Sequence, residues 1–98
     1  MEIFKIKPVE ANCINPLRIR ILLLMENGLR TRKTLANKLK ITPQAISWHI
    51  RILEDAGLLK VNRVRNRDFR LENHYELTHR GFELLRHLDI DEKAQFRL

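Results

Sequence analysis

The chain has 98 residues, nineteen lysines and arginines against twelve aspartates and glutamates, a net charge of +7 and a hydrophobic fraction of 44%. That content excludes disorder throughout, the length suits one small domain, and we expect residues 1–98 to form it. The longest apolar run, 21–25, is far too short to span a bilayer. The basic excess either serves solubility or indicates an anionic partner, most commonly nucleic acid.

Cysteine usage and the N-terminus indicate the compartment. Cys13 is the only cysteine, which excludes an intrachain disulfide and a thiolate metal cluster built within one chain. The first ten residues alternate apolar and charged side chains and contain no signal-peptide core. We therefore expect a cytoplasmic protein without a membrane partner, in which residues 1–12 form a strand or an arm.

The first predicted helix begins at Asn15 and Pro16 and ends before Gly28. Apolar residues recur at every third position from 19 to 25. Leu23 and Leu24 continue the apolar surface beyond what one core face needs. This extra surface contacts either a partner subunit or a second helix of the same chain.

Two further helices are predicted over 31–40 and 42–56, capped by Thr31 and Thr42. Only two residues separate them, so the helices must cross, as in a helix-turn-helix. One face of the third helix is an apolar stripe with His49 at its edge. The opposite face carries polar and aromatic side chains, namely Gln44, Ser47, Trp48 and Arg51.

After Gly57 the apolar period changes from 3.6 to 2, which predicts a strand over 59–64 and a hairpin tip over 64–68. The second strand is predicted from an alternating apolar set, in which Asn73 marks a bulge or a strand end. Its members are Phe69, Leu71, Tyr75 and Leu77. Thr78 caps a last helix, in which apolar residues recur at Phe82, Leu85 and Leu88.

Three segments resemble winged helix-turn-helix transcription regulators of the MarR/ArsR type. NPLRIRILLLMENG is similar to their first helix, ITPQAISWHIRILEDAGLL to their recognition helix, and HYELTHRGFELL to the return of the wing into the last helix. The resemblance covers roughly residues 15–88. It implies an α+β, mainly α fold, with a three-helix core, a two-stranded wing and a C-terminal helix over 78–98.

The chain departs from this family in two respects. The second helix lacks the paired cysteines of metal-sensing ArsR-type proteins, and 98 residues leave little room for the helices that form the MarR-type ligand cleft. We therefore expect no metal, no cofactor and no small-molecule effector.

The predicted function is sequence-specific binding of double-stranded DNA, with helix 42–56 in the major groove and the basic wing 59–77 on the backbone or minor groove. Gln44 suits adenine, Arg51 suits guanine, and Ser47 can bond either base. Trp48 either contacts a sugar or a thymine methyl, or is buried against the wing or a dimer partner. For these four residues the alternative is a solvated helix face.

Backbone contacts are expected from basic and small polar side chains. At the wing, Lys60 belongs to the same basic cluster, and Asp68 alone opposes it. The predicted contacts are Thr31, Arg32, Lys33, Thr42, Arg63, Arg65, Asn66, Arg67 and Arg70.

A homodimer is expected, with contacts from Leu23, Leu24, Phe82, Leu85 and Leu88. No enzymatic site is expected, because the four histidines (His49, His74, His79 and His87) show no metal-ligand spacing and no glycine-rich loop exists. The alternatives are a winged helix that docks a partner protein, and a redox sensor acting through Cys13.

Overall fold

The computed structural model describes residues 15–88, and the predicted order of elements is confirmed. Helices α1 (Pro16–Glu26), α2 (Arg32–Leu39) and α3 (Pro43–Asp55) precede strands β1 (Leu59–Arg65) and β2 (Leu71–Leu77), and α4 (His79–Arg86) follows. This is the winged helix-turn-helix fold, with the hairpin as its wing. The predicted N-terminal arm, Cys13 and the C-terminal extension of the last helix lie outside the described residues.

All four helices begin at the caps that the sequence predicts. The side chains of Asn15, Thr31, Thr42 and Thr78 each accept a hydrogen bond from the backbone N–H three residues later, at 2.8 to 3.2 Å. Each bond satisfies a donor that the first helical turn leaves without a partner. At Thr31 the capping is reciprocal and forms a capping box, since the backbone N–H of Thr31 also donates a hydrogen bond to the side chain of Thr34.

The core lies between α1 and the elements that surround it. Leu23 and Leu24 of α1 are only 5% and 8% exposed within the single chain. The apolar surface that extends round α1 is therefore covered within one chain. Between residues 15 and 88, ten side chains are almost fully enclosed: Ile19, Ile21, Leu22, Leu35, Ile46, Leu53, Leu58, Leu59, Leu84 and Leu85.

A short turn sets the crossing of α2 and α3. Lys40 ends α2 in the left-handed conformation (φ 59°), and the Ile41 N–H donates to the Ala36 carbonyl at 3.2 Å. Thr42 then caps α3. The helix-turn-helix predicted from the two-residue link is confirmed.

The wing is a regular antiparallel ladder in which Leu59 lies opposite Leu77 and Arg65 opposite Leu71. The ladder continues through Asn73, which lies opposite Arg63, so the bulge or strand end considered at Asn73 is wrong. The tip also lies further along the chain than predicted, at 66–70, because β1 extends through Arg65 and β2 begins only at Leu71.

The start of α4 is tied to the turn after α3. The Thr78 hydroxyl donates to the Gly57 carbonyl at 2.6 Å and also caps α4. Gly81 is buried against the backbone of Leu58, and a Cβ there would collide with the Leu58 carbonyl oxygen. In this helix Phe82 is 44% exposed, while Leu84, which is not part of the predicted apolar repeat, is in the core.

The described helices are short in relation to a bilayer, and none of those within residues 15–88 is long and apolar enough to cross a membrane.

Candidate nucleic-acid interface

Helix α3 has one buried face and one presented face. Ile46, Ile50 and Leu53 are buried, which confirms the predicted stripe. On the opposite side Gln44 and Arg51 are exposed, and they lie seven residues apart, about two turns of helix. Burial on one side therefore fixes the orientation of the helix and leaves the predicted base-contacting side chains accessible.

Trp48 lies on the presented face and is 61% exposed. In the described chain it is therefore not buried against the wing, which leaves contact with DNA or with a dimer partner among the orientations considered from the sequence. An indole this exposed gains little from the fold of its own chain. Its side chain is available to a partner.

Ser47 links α3 to α2. Its hydroxyl accepts a hydrogen bond from Nη1 of Arg32 at 3.3 Å, and the side chain is half-buried. Arg32 also lies close enough to Tyr75 to oppose, by its charge, the rise that burial causes in the pKa of that phenol. Arg32 thus connects α2, α3 and the wing, a position that sequence spacing alone did not reveal.

His49 packs at the edge of the buried stripe, as predicted. Its Nδ1 accepts a hydrogen bond from Nε of Arg18 in α1 at 3.1 Å. The pKa of His49 is lowered, first because burial disfavours the charged ring and second because the Arg18 charge repels it. The hydrogen bond to the neutral imidazole thereby links α3 to α1, on the side of α3 away from Gln44 and Arg51.

The two faces of the wing differ in charge. Because side chains alternate along a strand and directly paired residues share a face, the register assigns each residue to one side. One face runs from the buried Leu59 and Tyr75 at the base to Arg63 and Arg65 towards the tip, and we call it the inner face. Its full membership is Leu59, Val61, Arg63, Arg65, Leu71, Asn73, Tyr75 and Leu77.

The other face, here called the outer face, holds the acidic residues of the two strands, Glu72 and Glu76. Lys60 forms an ion pair with Glu76 at 3.7 Å. Glu72 contacts His74 at 2.9 Å, and hydrogen bonds from His74 and Asn66 lower the pKa of its carboxyl. Lys60, which the sequence groups with the wing arginines, therefore lies on the opposite face from Arg63 and Arg65.

The inner face of the wing and the helix α3 form the walls of an open cleft of about 520 Å³. Arg51 and Arg63 both line it, one from each side, while Glu54 and Asp55 line its end near the C-terminus of α3. Arg63 of the inner face and Arg51 of the presented face of α3 therefore open onto a common space. The wing contributes Val61, Arg63, Asn73 and Tyr75 to its wall.

The tip of the wing is organised by Asn66. Its Oδ1 accepts hydrogen bonds from the backbone N–H groups of Asp68 at 2.9 Å and Arg70 at 3.0 Å. Its own N–H donates to the Arg70 carbonyl, and Nη1 of Arg65 donates to the Phe69 carbonyl at 2.7 Å. Asn66, predicted to contact a DNA backbone, thus has its amide oxygen engaged in the turn, whereas Arg67 and Arg70 are exposed.

Phe69 lies in this turn and not in the second strand, so its predicted place in the alternating apolar set is wrong. It has a φ of 61° and is 77% exposed. Leu71, the first residue of β2, is 52% exposed. The alternation of apolar and polar residues in the sequence predicts a strand, but it does not indicate how far the hairpin extends beyond the core.

The N-terminal part of α2 presents the other predicted backbone contacts. Arg32 and Lys33 are exposed in its first turn, and Thr42 is exposed at the start of α3. Thr31 is half-buried, and its hydroxyl serves the capping box. The backbone N–H groups at such helix starts favour anions.

The residues predicted for a dimer interface differ in accessibility. Leu23, Leu24 and Leu85 are buried in the single chain, and Leu88 packs half-buried against the same core. Phe82 alone of the five is exposed. Among residues 15–88, no group of three histidine, cysteine, aspartate or glutamate side chains is placed to hold a metal ion.

Comparisons with known proteins agree with this geometry. The family described as helix-turn-helix domain matches residues 14–62, half of the chain. No protein with a curated function matches.

Solved structures share the fold over most of the chain. ZitR of Lactococcus lactis, in complex with DNA, is 24% identical with a TM-score of 0.65, and the match covers 85% of this chain and 52% of ZitR. A ZitR mutant in complex with DNA is 26% identical with a TM-score of 0.60, over 76% of this chain and 52% of that one. RV1404 of Mycobacterium tuberculosis is 26% identical with a TM-score of 0.64, over 90% and 55%.

The chain thus spans about half the length of these neighbours. The family match includes α1, the helix-turn-helix itself and the first part of β1, and the hairpin that follows supplies the wing. The chain belongs to the helix-turn-helix domain family, in its winged form.

Proposed function

We propose that this protein is a transcription regulator of the MarR/ArsR type that binds double-stranded DNA sequence-specifically as a homodimer. Helix α3 enters the major groove, and the wing contacts the backbone and the adjacent minor groove. Gln44, Ser47, Trp48 and Arg51 contact bases. The protein needs no cofactor, metal or effector for this and carries out no catalysis.

The observation that carries the proposal is the separation of charge on the wing. The inner face, which shares a cleft with α3, bears Arg63 and Arg65, while Glu72 and Glu76 lie on the outer face. If the basic residues served only solubility, they would not need to lie on the side of the wing that faces the presented helix. A polyanion lying across α3 and the wing gives that reason.

The structural neighbours support the same proposal. ZitR, which shares the fold, has been solved in complex with DNA. A dimer of the present chain would place two copies of α3 on half-sites about one helical turn apart, roughly 10 base pairs.

The test is selection of bound duplexes from a random pool at stated salt, with the oligomeric state measured in parallel. We expect enrichment of a two-fold repeated motif. Gln44→Ala and Arg51→Ala should each relax the preference at one position of each half-site. A protein that enriches no sequence and retards no duplex, yet captures a partner protein, would contradict the proposal and favour the protein-docking alternative.

A further inference from the structure

The wing tip contains a residue that its own fold does not explain. Phe69 adopts a left-handed backbone conformation (φ 61°), which a bulky side chain rarely adopts. Its ring is 77% exposed, the highest value among the large apolar side chains exposed within residues 15–88. A backbone cost without burial in return points to a role outside the chain.

The hydrogen-bond pattern of the tip sharpens this anomaly. The Phe69 N–H donates to the Asn66 carbonyl at 3.0 Å, and the Asn66 N–H donates to the Arg70 carbonyl at 2.9 Å. This pattern belongs to the three-residue hairpin loop that ends in a left-handed residue, a position where glycine is favoured. At the position where glycine would cost least, this chain carries a phenylalanine.

Hydrogen bonds restrain the backbone that carries the ring. The Asn66 side chain accepts bonds from two backbone N–H groups of the loop, and the Arg65 guanidinium donates to the Phe69 carbonyl at 2.7 Å. The side chain of Phe69 thus projects from a turn braced on both sides. A backbone restrained in this way loses little conformational entropy on binding.

The surroundings of the ring indicate the chemistry of what it meets. Arg67 and Arg70 lie within two residues of it along the chain, Arg65 donates a hydrogen bond to its carbonyl, and Asp68 is the single acidic residue of the loop. An apolar ring surrounded by arginines fits a partner that offers both anionic groups and flat apolar surfaces. Duplex DNA offers phosphates and, between its base pairs, stacking faces.

Building on the proposed function, we propose that Phe69 is an apolar wedge that inserts between base pairs in the minor groove beside each half-site. The wing arginines hold the phosphates on either side of the step. Partial unstacking favours steps that open easily, which are the pyrimidine–purine steps TA and CA. Phe69 thereby adds sequence preference outside the bases that α3 reads.

The experiment compares the wild type with Phe69→Gly, Phe69→Asn and Phe69→Tyr. Gly and Asn suit the left-handed backbone and remove the ring, whereas Tyr keeps an aromatic ring. Thermal unfolding should show Gly and Asn at least as stable as the wild type, so that lost binding cannot be attributed to misfolding.

Two binding readouts are expected to separate the variants. First, selection with the wild type and with Phe69→Tyr should enrich TA or CA at a fixed distance outside the α3 motif, and Phe69→Gly should keep the motif and lose that step. Second, 2-aminopurine placed at the step should brighten when the wild type binds. Loss of the ring should abolish the brightening and weaken binding about tenfold.

The outcomes distinguish the wedge from the function on which it depends. A wild type that binds no DNA overturns both. The wedge alone is overturned if all four proteins bind the same motif with equal affinity, enrich the same flanking step and give the same 2-aminopurine fluorescence. Unchanged DNA binding together with a shift from dimer to monomer in Phe69→Gly would also overturn the wedge, since the ring would then serve contact between two copies of the chain.

Discussion

The base and the tip of the wing differ in the burial of their apolar residues. At the base, Leu59 and Tyr75 are 2% and 4% exposed, and the strands continue the core of the domain. At the tip, Phe69 and Leu71 are 77% and 52% exposed. The base uses apolar area for stability, while the tip places it where only a partner can cover it. Exceptions to folding rules of this kind concentrate at functional positions.

The largest expected effect is on stability and tests the packing of α4 at the base of the wing. Gly81→Ala should lower the free energy of unfolding by about 3 kcal/mol, because the added methyl collides with the Leu58 carbonyl and neither backbone can yield cheaply. The measurement is urea denaturation at fixed protein concentration. His79→Ala, whose side chain is 88% exposed in the same helix, is the matched control and should change stability by less than about 0.5 kcal/mol. Equal stabilities would mean that the packing between α4 and the wing base is looser than described.

The next effect compares the two faces of one strand. Arg63→Ala should weaken binding of every DNA sequence about tenfold and reduce the slope of log affinity against log salt by about one, because a phosphate contact is lost. Lys60→Ala removes the same charge from the outer face, where Lys60 pairs with Glu76. It should have a much smaller effect. Titrations at several salt concentrations measure both, and equal losses would refute the distinction between the faces.

A smaller effect concerns the backbone of the tip. Phe69→Gly should raise the free energy of unfolding by about 0.5–1 kcal/mol, since relief of the left-handed conformation outweighs the added entropy of the unfolded chain. Leu71→Gly, two residues away in a regular strand, should instead lower it by about 1 kcal/mol. Chemical denaturation of the two variants should thus give opposite signs. A destabilised Phe69→Gly would show that the ring packs within the chain.

The smallest effect is a pH dependence at the contact between α1 and α3. The pKa of His49 is lowered in the folded chain, so the unfolded chain binds its proton more readily. The contribution of neutral His49 to stability is therefore fully present above about pH 6.5 and is lost as pH falls from there through the lowered pKa. Denaturation of the wild type and His49→Gln between pH 5 and 8 should show this difference. Parallel pH profiles would contradict it.

The helical part could be predicted from the sequence because its signals are local. A cap such as Thr42 followed by Pro43 specifies a helix start within two residues, and the structure confirms it. The wing tip was misplaced because its signal is not local. Alternation predicts a strand but not where the supporting core ends, and Phe69 looks like a strand residue until its backbone is known.

The candidate site shows the same division. Helical spacing sufficed to place Gln44 and Arg51 on the presented side of α3. Alternation along the predicted strand already separates Lys60 from Arg63. Placing Glu72 and Glu76 on the side of Lys60 needed the pairing of the two strands, and finding the bond between Arg32 and Ser47 needed the crossing of α2 and α3. Contacts between elements depend on distances that a single sequence does not contain.

The alternation of the two wing faces limits how this hairpin can change in evolution. A deletion or insertion of one residue between Leu59 and Arg63 would move Arg63 and Arg65 to the side of Glu72 and bring Val64 to the side that faces α3. A change in length that keeps the arginines on the inner face and the acidic residues on the outer face must therefore add or remove two residues in each strand at once. Among related sequences, wings should differ in length by whole steps of this kind, with a basic residue retained in the same phase.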